Sequence, residues 1–537
     1  MKKINITISK KLLLTAIFHW LLTFATDRLF FEYELFAFQD GKSAVLSFYG
    51  WAVKILFLLI VIFLHQLLGK AVTAWKDKNS VIGKRLRYAS VYFVGMLLLL
   101  AIVYPGAWRM DEFGILRDAK TLMLTFWQGY LTSCFYIFSL MLFPTPAGVV
   151  VVQCAINSLC MGYVCERAEK ILGVKYRIWL FLPFVALPIL DSNMYPMRMS
   201  VYAFLELLLA AVFLSAIFER RKFTKQEMFL VIFLTAICSV WRTEGIYYAL
   251  WIPFVYVVTF WKLEEGKKKI LFAGLTIALT FVVSLPQFIG NKLVSGDQYE
   301  ITSMVLPIAP LLTEADREQE LELIEKVDKV LDTEIMIQGY QSGRSGISVF
   351  WSEPLLVKNG YTTREYGEFK NAYYKLILKY PAVFLKERME TFFNSNGILM
   401  DTTSLFESEE VANYVEFREE YKGVFSISPK LRGMVLSILE VRSFQNYNEK
   451  GNLFYLFWSF LPQLITLIMT AVITFIKKEW GSFLVLFGIL IKVPLIFLTA
   501  PSLLFMYYYG IYLVGNVALI YGIFVIVKKK RTKLYEK

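Results

Sequence analysis

An all-α, multi-pass membrane protein is specified by three features of the 537 residues. They are a 57% hydrophobic composition with a mean hydropathy of +0.52, a charged fraction of only 19%, and a succession of apolar runs close to bilayer-crossing length. A soluble chain would carry roughly a quarter charged residues. The composition therefore excludes an ordinary cytosolic enzyme, a disordered chain and a disulfide-stapled secreted domain. Nor is the net charge of +13 read as a nucleic-acid surface.

Lys2, Lys3, Lys10 and Lys11 lead into the first apolar run, 12–30. No small-x-small cleavage site follows, so the run reads as an uncleaved anchor. Further runs fall at 44–68, 86–104, 122–143, 147–165, 177–190, 199–218, 228–261 (long enough for two short passes), 270–289, 452–476, 482–500 and 503–527. That makes about 12 or 13 spans. Cys134, Cys154, Cys160, Cys165 and Cys238 lie in or beside these runs, where a thiol behaves as a small hydrophobe. The two histidines, His19 and His65, also lie in apolar runs, which leaves no material for a His-rich zinc site or a Ser-His-Asp triad. Acid-base chemistry then falls to carboxylates, Lys or Tyr.

Short cytoplasmic connections are enriched in Lys and Arg. By that rule the N-terminus, 69–87, 219–225, 262–269, Lys477-Lys478 and the tail Lys528 to Lys537 are cytoplasmic. The segment 291–450 has no clear spanning run and holds 18 Lys and Arg against 25 Asp and Glu, a balance of −7 within the total of +13. It is expected outside the cytoplasm as a mostly helical domain, with an acidic helical stretch at Thr313 to Met336 and an amphipathic one at Lys370 to Phe393 interrupted by a proline. The organisation is thus N-terminal spans over 1–85, a membrane core over 86–290, the extracytoplasmic domain 291–450 before the last three helices, and C-terminal spans over 451–537. One inconsistency follows: the basic stretch 166–177 requires an odd number of crossings after 86–104, where 122–143 and 147–165 supply two. Either 122–143 is partly interfacial, or 166–177 departs from the charge rule.

The stretch Tyr104-Pro105-Gly106-Ala107-Trp108-Arg109-Met110-Asp111-Glu112-Phe113-Gly114 opens the first outside loop, 105–128. Pro and Gly end the helix, Trp108 suits the interface, and two carboxylates follow at the membrane surface. A carboxylate there is placed to take a proton from an acceptor hydroxyl. Equally, Asp111, Glu112 and Asp118 fit a solvated helix start partnered by Arg109 and Arg117.

A span, an outside loop with an Asp-Glu pair, many further spans, a large outside segment and a few final spans together resemble the GT-C superfamily of membrane glycosyltransferases. DEFG is similar to the Asp-Glu motif of the protein O-mannosyltransferase branch, and YPG before it resembles bacterial members. WRTEG (Trp241 to Gly245), KLILKYPAVFLKER (Lys375 to Arg388) and TAPSLLFMYYYG (Thr499 to Gly510) also resemble the family. The resemblance implies Asp111 as general base with Glu112 as neighbour or substitute, a polyprenyl-phosphate-linked sugar donor, and an extracytoplasmic glycan or protein acceptor. It also implies a plasma-membrane location, and many members need no metal. Where bacterial relatives often carry an Arg before the late tyrosine, this chain has Met506 before Tyr507, Tyr508 and Tyr509.

Other charges at membrane depth need partners or a wet cavity. Arg242 is suited to a lipid-linked phosphate, or it simply pairs with Glu244. Lys492 either faces a cavity or makes an internal pair, and Lys54 either snorkels or has an internal partner. Arg344, in the turn Gln341 to Gly346, either closes over the donor phosphate or belongs to an ordinary surface loop. The expected substrate-binding set is therefore Arg109, Arg242, Glu244, Arg344, Lys492 and Tyr508, with no cofactor. Two rival readings stand beside the transferase: a polysaccharide polymerase using the same lipid carriers, and a flippase or transporter, against which the lack of two similar halves argues.

Overall fold

The computed structural model describes residues 9–77, 79–108, 110–173, 177–295, 298–396, 426–439 and 457–535. Among these residues the chain is helical, and its β-structure is one isolated antiparallel bridge between Leu331 and Val357.

The first helices, α1 (Lys10–Thr26), α2 (Gly41–Lys76) and α3 (Val81–Ile102), run back and forth. Asp40 and Ser80 start α2 and α3 by accepting from the amides of Ser43 and Gly83, which satisfies donors that a helix start leaves unpaired. Lys54 has an internal partner and does not snorkel: it is buried between α1 and α2 and donates to Thr23 Oγ1 and Asp27 Oδ2, both at 2.7 Å. The same two helices bring His19 and His65 into a hydrogen bond of 3.2 Å.

After α3 come a short surface helix, α4 (Met110–Lys120), then α5 (Tyr130–Leu142) and α6 (Ala147–Leu172). Antiparallel packing of α6 on α3 is fixed at both ends. Arg85 Nε donates to Glu166 at 3.0 Å and Tyr88 OH to Glu169 at 2.6 Å, while Tyr104 OH and Thr145 Oγ1 share a hydrogen bond of 3.1 Å. Arg167 thus returns to the end of the bundle where α3 begins.

The expected span 122–143 is not a crossing. Its helix, α5, has 13 residues, about 20 Å of length, and it is set apart from the other short helices by where its ends lie. Both its ends lie at one end of the bundle: Tyr130 OH donates to Val283 O near the end of α11 (Gly266–Gly290), and Leu142 leads straight to Thr145 beside Tyr104. The odd count disappears, and 166–177 sits with the other basic connections.

A broken pass follows. It consists of a 3-10 stretch, Arg177–Phe184, and α7 (Leu187–Met194), with Arg177 against Glu169 at the basic end and Met194 O accepting from Ala107 N at the other. Then come α8 (Arg198–Phe218), α9 (Lys225–Trp241), α10 (Tyr248–Thr259) and α11. At the basic end, burial pushes the Glu219 carboxyl up, but hydrogen bonds from Lys170 and Arg221 and the charge of Arg167 outweigh it and hold the group at about 2.

Beyond α11 the chain builds a second hydrophobic core from α12 (Gln298–Glu314), α13 (Leu321–Asp328), α14 (Thr333–Gln341), α15 (Gly346–Ser352), α16 (Thr363–Lys379) and α17 (Pro381–Ser395). Ile301, Val305, Leu331, Phe369 and Leu376 are fully buried in it. Pro381 takes the first position of α17, so the proline in the amphipathic stretch separates two helices. A further helix, α18 (Pro429–Leu439), packs on α3 and α7, and its Leu436 and Leu439 enter the membrane-bundle core.

The last passes are α19 (Leu461–Ile476), α20 (Trp480–Leu490) continued by α21 (Lys492–Thr499), and α22 (Tyr509–Tyr535). Eight described stretches are long and apolar enough to cross a membrane: 10–29, 41–76, 81–102, 147–172, 198–218, 266–293, 480–499 and 505–526. Shorter pieces, namely α9, α10, α19 and the broken pass through α7, complete the bundle. Phe281, Val282 and Phe288 of α11 are each at least 59% exposed, an apolar face suited to lipid.

Candidate functional site

Asp111 stands in the first turn of α4, where the helix dipole favours a negative charge, and its side chain is exposed. Gln128, which is buried, donates its amide to Asp111 Oδ2 at 3.1 Å. The backbone carbonyl of Gln128 accepts in turn from Arg198 at 2.6 Å and from Thr132 Oγ1 at 2.8 Å. Thr132 Oγ1 then accepts from the indole of Trp241 at 3.0 Å. Trp241 is the first residue of WRTEG, so a continuous run of hydrogen bonds leads from the exposed carboxylate to the residue before Arg242.

Arg242 and Glu244 form a buried ion pair, with side chains 5% and 10% exposed. The Arg242 guanidinium lies 5.8 Å from the centre of the Tyr507 ring. Beneath this turn Lys492 is buried and donates to both oxygens of Glu206 at 2.9 Å, while Tyr248 OH donates to Glu206 at 2.9 Å. Gly245 and Gly510 let these segments close up: a Cβ on Gly245 would come within 2.7 Å of Tyr202 OH, and one on Gly510 within 2.5 Å of Glu206 Oε2.

Tyr508 is fully buried, with its ring stacked on Phe460 at 4.2 Å and edge-on to Phe392 of α17. Arg388 of α17, also fully buried, donates to Ala500 O at 3.0 Å. The three short stretches WRTEG, KLILKYPAVFLKER and TAPSLLFMYYYG, remote in sequence, therefore meet at one end of the bundle, the end that carries Asp111.

The remaining expected residues are placed as follows. Glu112 is buried and accepts from Tyr195 OH at 2.6 Å, so of the two adjacent carboxylates only Asp111 reaches water. Arg344 pairs with Glu353 at 2.6 Å and donates to Ser352 at 3.0 Å within the second core, which makes it part of that domain's own surface. The internal pair is the arrangement found for Lys492. Arg109 lies outside the described residues.

Sequence reading missed Gln128, Thr132, Arg198, Glu206, Arg388 and Arg432. Glu206 alone carried a signal, as a lone carboxylate in the apolar run 199–218. Among the described residues no group of three or more His, Cys, Asp or Glu is arranged to hold a metal ion.

No family model, curated protein or solved structure matches the chain. The site's chemistry therefore rests on its own geometry. It has an exposed carboxylate, Asp111, joined by hydrogen bonds to the turn that carries the buried Arg242–Glu244 pair.

Proposed function

We propose that this membrane-integral protein is an inverting glycosyltransferase of the GT-C type. In this reading a sugar on polyprenyl phosphate enters from the outer leaflet of the plasma membrane. Asp111 takes the proton of an acceptor hydroxyl on a cell-surface glycan or protein as that oxygen attacks the anomeric carbon. The bond to the lipid phosphate breaks, and Arg242 stabilises the departing phosphate. The acidic segment 291–450 lies outside the cell and both termini lie in the cytoplasm.

One observation supports this reading above the others: the hydrogen-bonded run Asp111, Gln128, Thr132, Trp241 ties the exposed carboxylate to the turn that carries Arg242. Glu112 is the less suitable base because it is buried beneath Tyr195.

The test is reconstitution. Purified protein in liposomes, given radiolabelled sugar on undecaprenyl phosphate and a cell-envelope fraction, is expected to move label from lipid to acceptor, with free undecaprenyl phosphate appearing in equal amount. Mass spectrometry of surface glycans from cells with and without the protein identifies the product. Label that stays on the lipid, with surface glycans unchanged, contradicts the reading.

A further inference from the structure

Two arginines between α11 and α19 reach back to the membrane bundle, and each grips a backbone carbonyl. Arg388 of α17 is 0% exposed; its Nε and Nη2 pair with the carboxylate of the neighbouring Glu387, and its Nη1 donates to Ala500 O at 3.0 Å. Arg432 of α18 is 6% exposed and its Nη2 donates to Gly106 O at 2.9 Å.

The two carbonyls belong to the two loops that flank the candidate site. Gly106 lies in the turn leading into α4 and Asp111. That turn is closely packed: Gly106 has φ +117°, and a Cβ there would meet Met194 O at 2.9 Å and Val150 at 2.8 Å. Ala107 N donates to Met194 O on the same side. Ala500 caps α21 and begins the stretch leading to Tyr507, whose ring faces the Arg242 guanidinium.

Burying a guanidinium is costly, and an apolar contact would hold two elements together at less expense. What a guanidinium adds is direction, because its planar set of N–H donors fixes where the accepting carbonyl must sit. Two such contacts, one on each loop, fix position at both sides of the site.

We propose that Arg388 and Arg432 are positioning residues that set the carboxylate of Asp111 in register with the Arg242 and Tyr507 side of the site. The proposal rests on the glycosyltransferase reading for its kinetic consequence and on geometry alone for its structural one. Loss of either grip lets one loop drift, and a misplacement of about 1 Å costs on the order of 100-fold in rate.

The experiment uses the full-length protein with spin labels, in a Cys134→Ser background. Gly114→Cys with Lys430→Cys reports the separation of α4 from α18, and Gly114→Cys with Gly367→Cys that of α4 from α16. A Cβ at Gly114 or Gly367 meets nothing within 4 Å, and Lys430 is exposed. Arg432→Ala is expected to broaden the first distance distribution and Arg388→Ala the second. Each is expected to lower kcat about 10- to 100-fold while donor KM stays within about twofold. Arg432→Lys and Arg388→Lys, which keep a donor but lose the planar fork, are expected to give distance distributions between those of wild type and the alanine variants and to restore part of kcat.

Wild-type distance distributions in both alanine variants overturn the proposal, as does a broadened distribution with unchanged kcat. The distance measurement needs no turnover. Wild-type protein that transfers no sugar, with the stated broadening in the alanine variants, would therefore remove the transferase reading and leave the grips standing.

Discussion

Gln128 donates its side-chain amide to Asp111 Oδ2 at 3.1 Å, and its own backbone carbonyl takes hydrogen bonds from Arg198 and Thr132. One buried residue thus orients the exposed carboxylate and anchors it to two helices of the bundle. Gln128→Leu keeps the bulk and removes the donor. It is expected to lower transfer about tenfold, the loss of one hydrogen bond worth about 1 to 1.5 kcal/mol, with the melting temperature within a few degrees of wild type. Radiolabel transfer and thermal melting check this. A rate equal to wild type would mean that Asp111 needs no orientation.

Arg242 and Glu244 form a buried pair, so removing one partner leaves an uncompensated charge. Arg242→Ala and Glu244→Ala are each expected to destabilise the protein by about 3–5 kcal/mol, and the double variant to regain much of that. Transfer behaves differently: it is expected to fall in Arg242→Ala and to stay low in the double variant, with part retained in Arg242→Lys. A double variant with normal stability and normal transfer would show that Arg242 serves only Glu244.

Lys492 and Glu206 are a deeper pair with the same logic and no assigned chemistry. Lys492→Met should lower the melting temperature strongly, and Lys492→Met with Glu206→Leu should recover most of the loss, because two apolar chains replace two buried charges. Melting curves in detergent decide. Full stability in the single variant would imply that water reaches Glu206.

Sidedness follows from charge. Cysteine introduced at Ser342, which is exposed on the second core, is expected to react with a membrane-impermeant thiol reagent added to intact cells, and cysteine at Thr532 only after lysis. The reverse pattern would invert the bundle and place Asp111 on the cytoplasmic side.

The all-α membrane architecture was legible in the sequence because apolar length and charge asymmetry are one-dimensional signals. The passes around α7 and WRTEG were harder to delimit, since short or broken helices are completed by neighbours and not by their own length. The run 122–143 misled for the same reason: α5 is apolar because it packs on its neighbours, Phe135 against Trp241 and Tyr136 against Trp108, and not because it spans. At the site, Asp111 and Arg242 stood out as charges beside apolar runs. Gln128 and Thr132 did not, because nothing in WQGYLT marks an amide or hydroxyl whose value lies in a partner far along the chain. The contacts of Arg388 with Ala500 O and of Arg432 with Gly106 O were hidden likewise, because a backbone carbonyl carries no sequence signature.

The central claim is that Asp111 is the general base of sugar transfer. Its most direct test is the single-turnover rate of purified Asp111→Asn in liposomes with polyprenyl-phosphate sugar and acceptor, beside wild type and Glu112→Gln. The amide keeps the size and the Gln128 contact region but cannot take a proton. The rate is expected to fall by about 10² to 10⁴ with the fold and donor binding retained, and Glu112→Gln is expected to keep most of its activity. Asp111→Asn turning over at the wild-type rate would contradict the account.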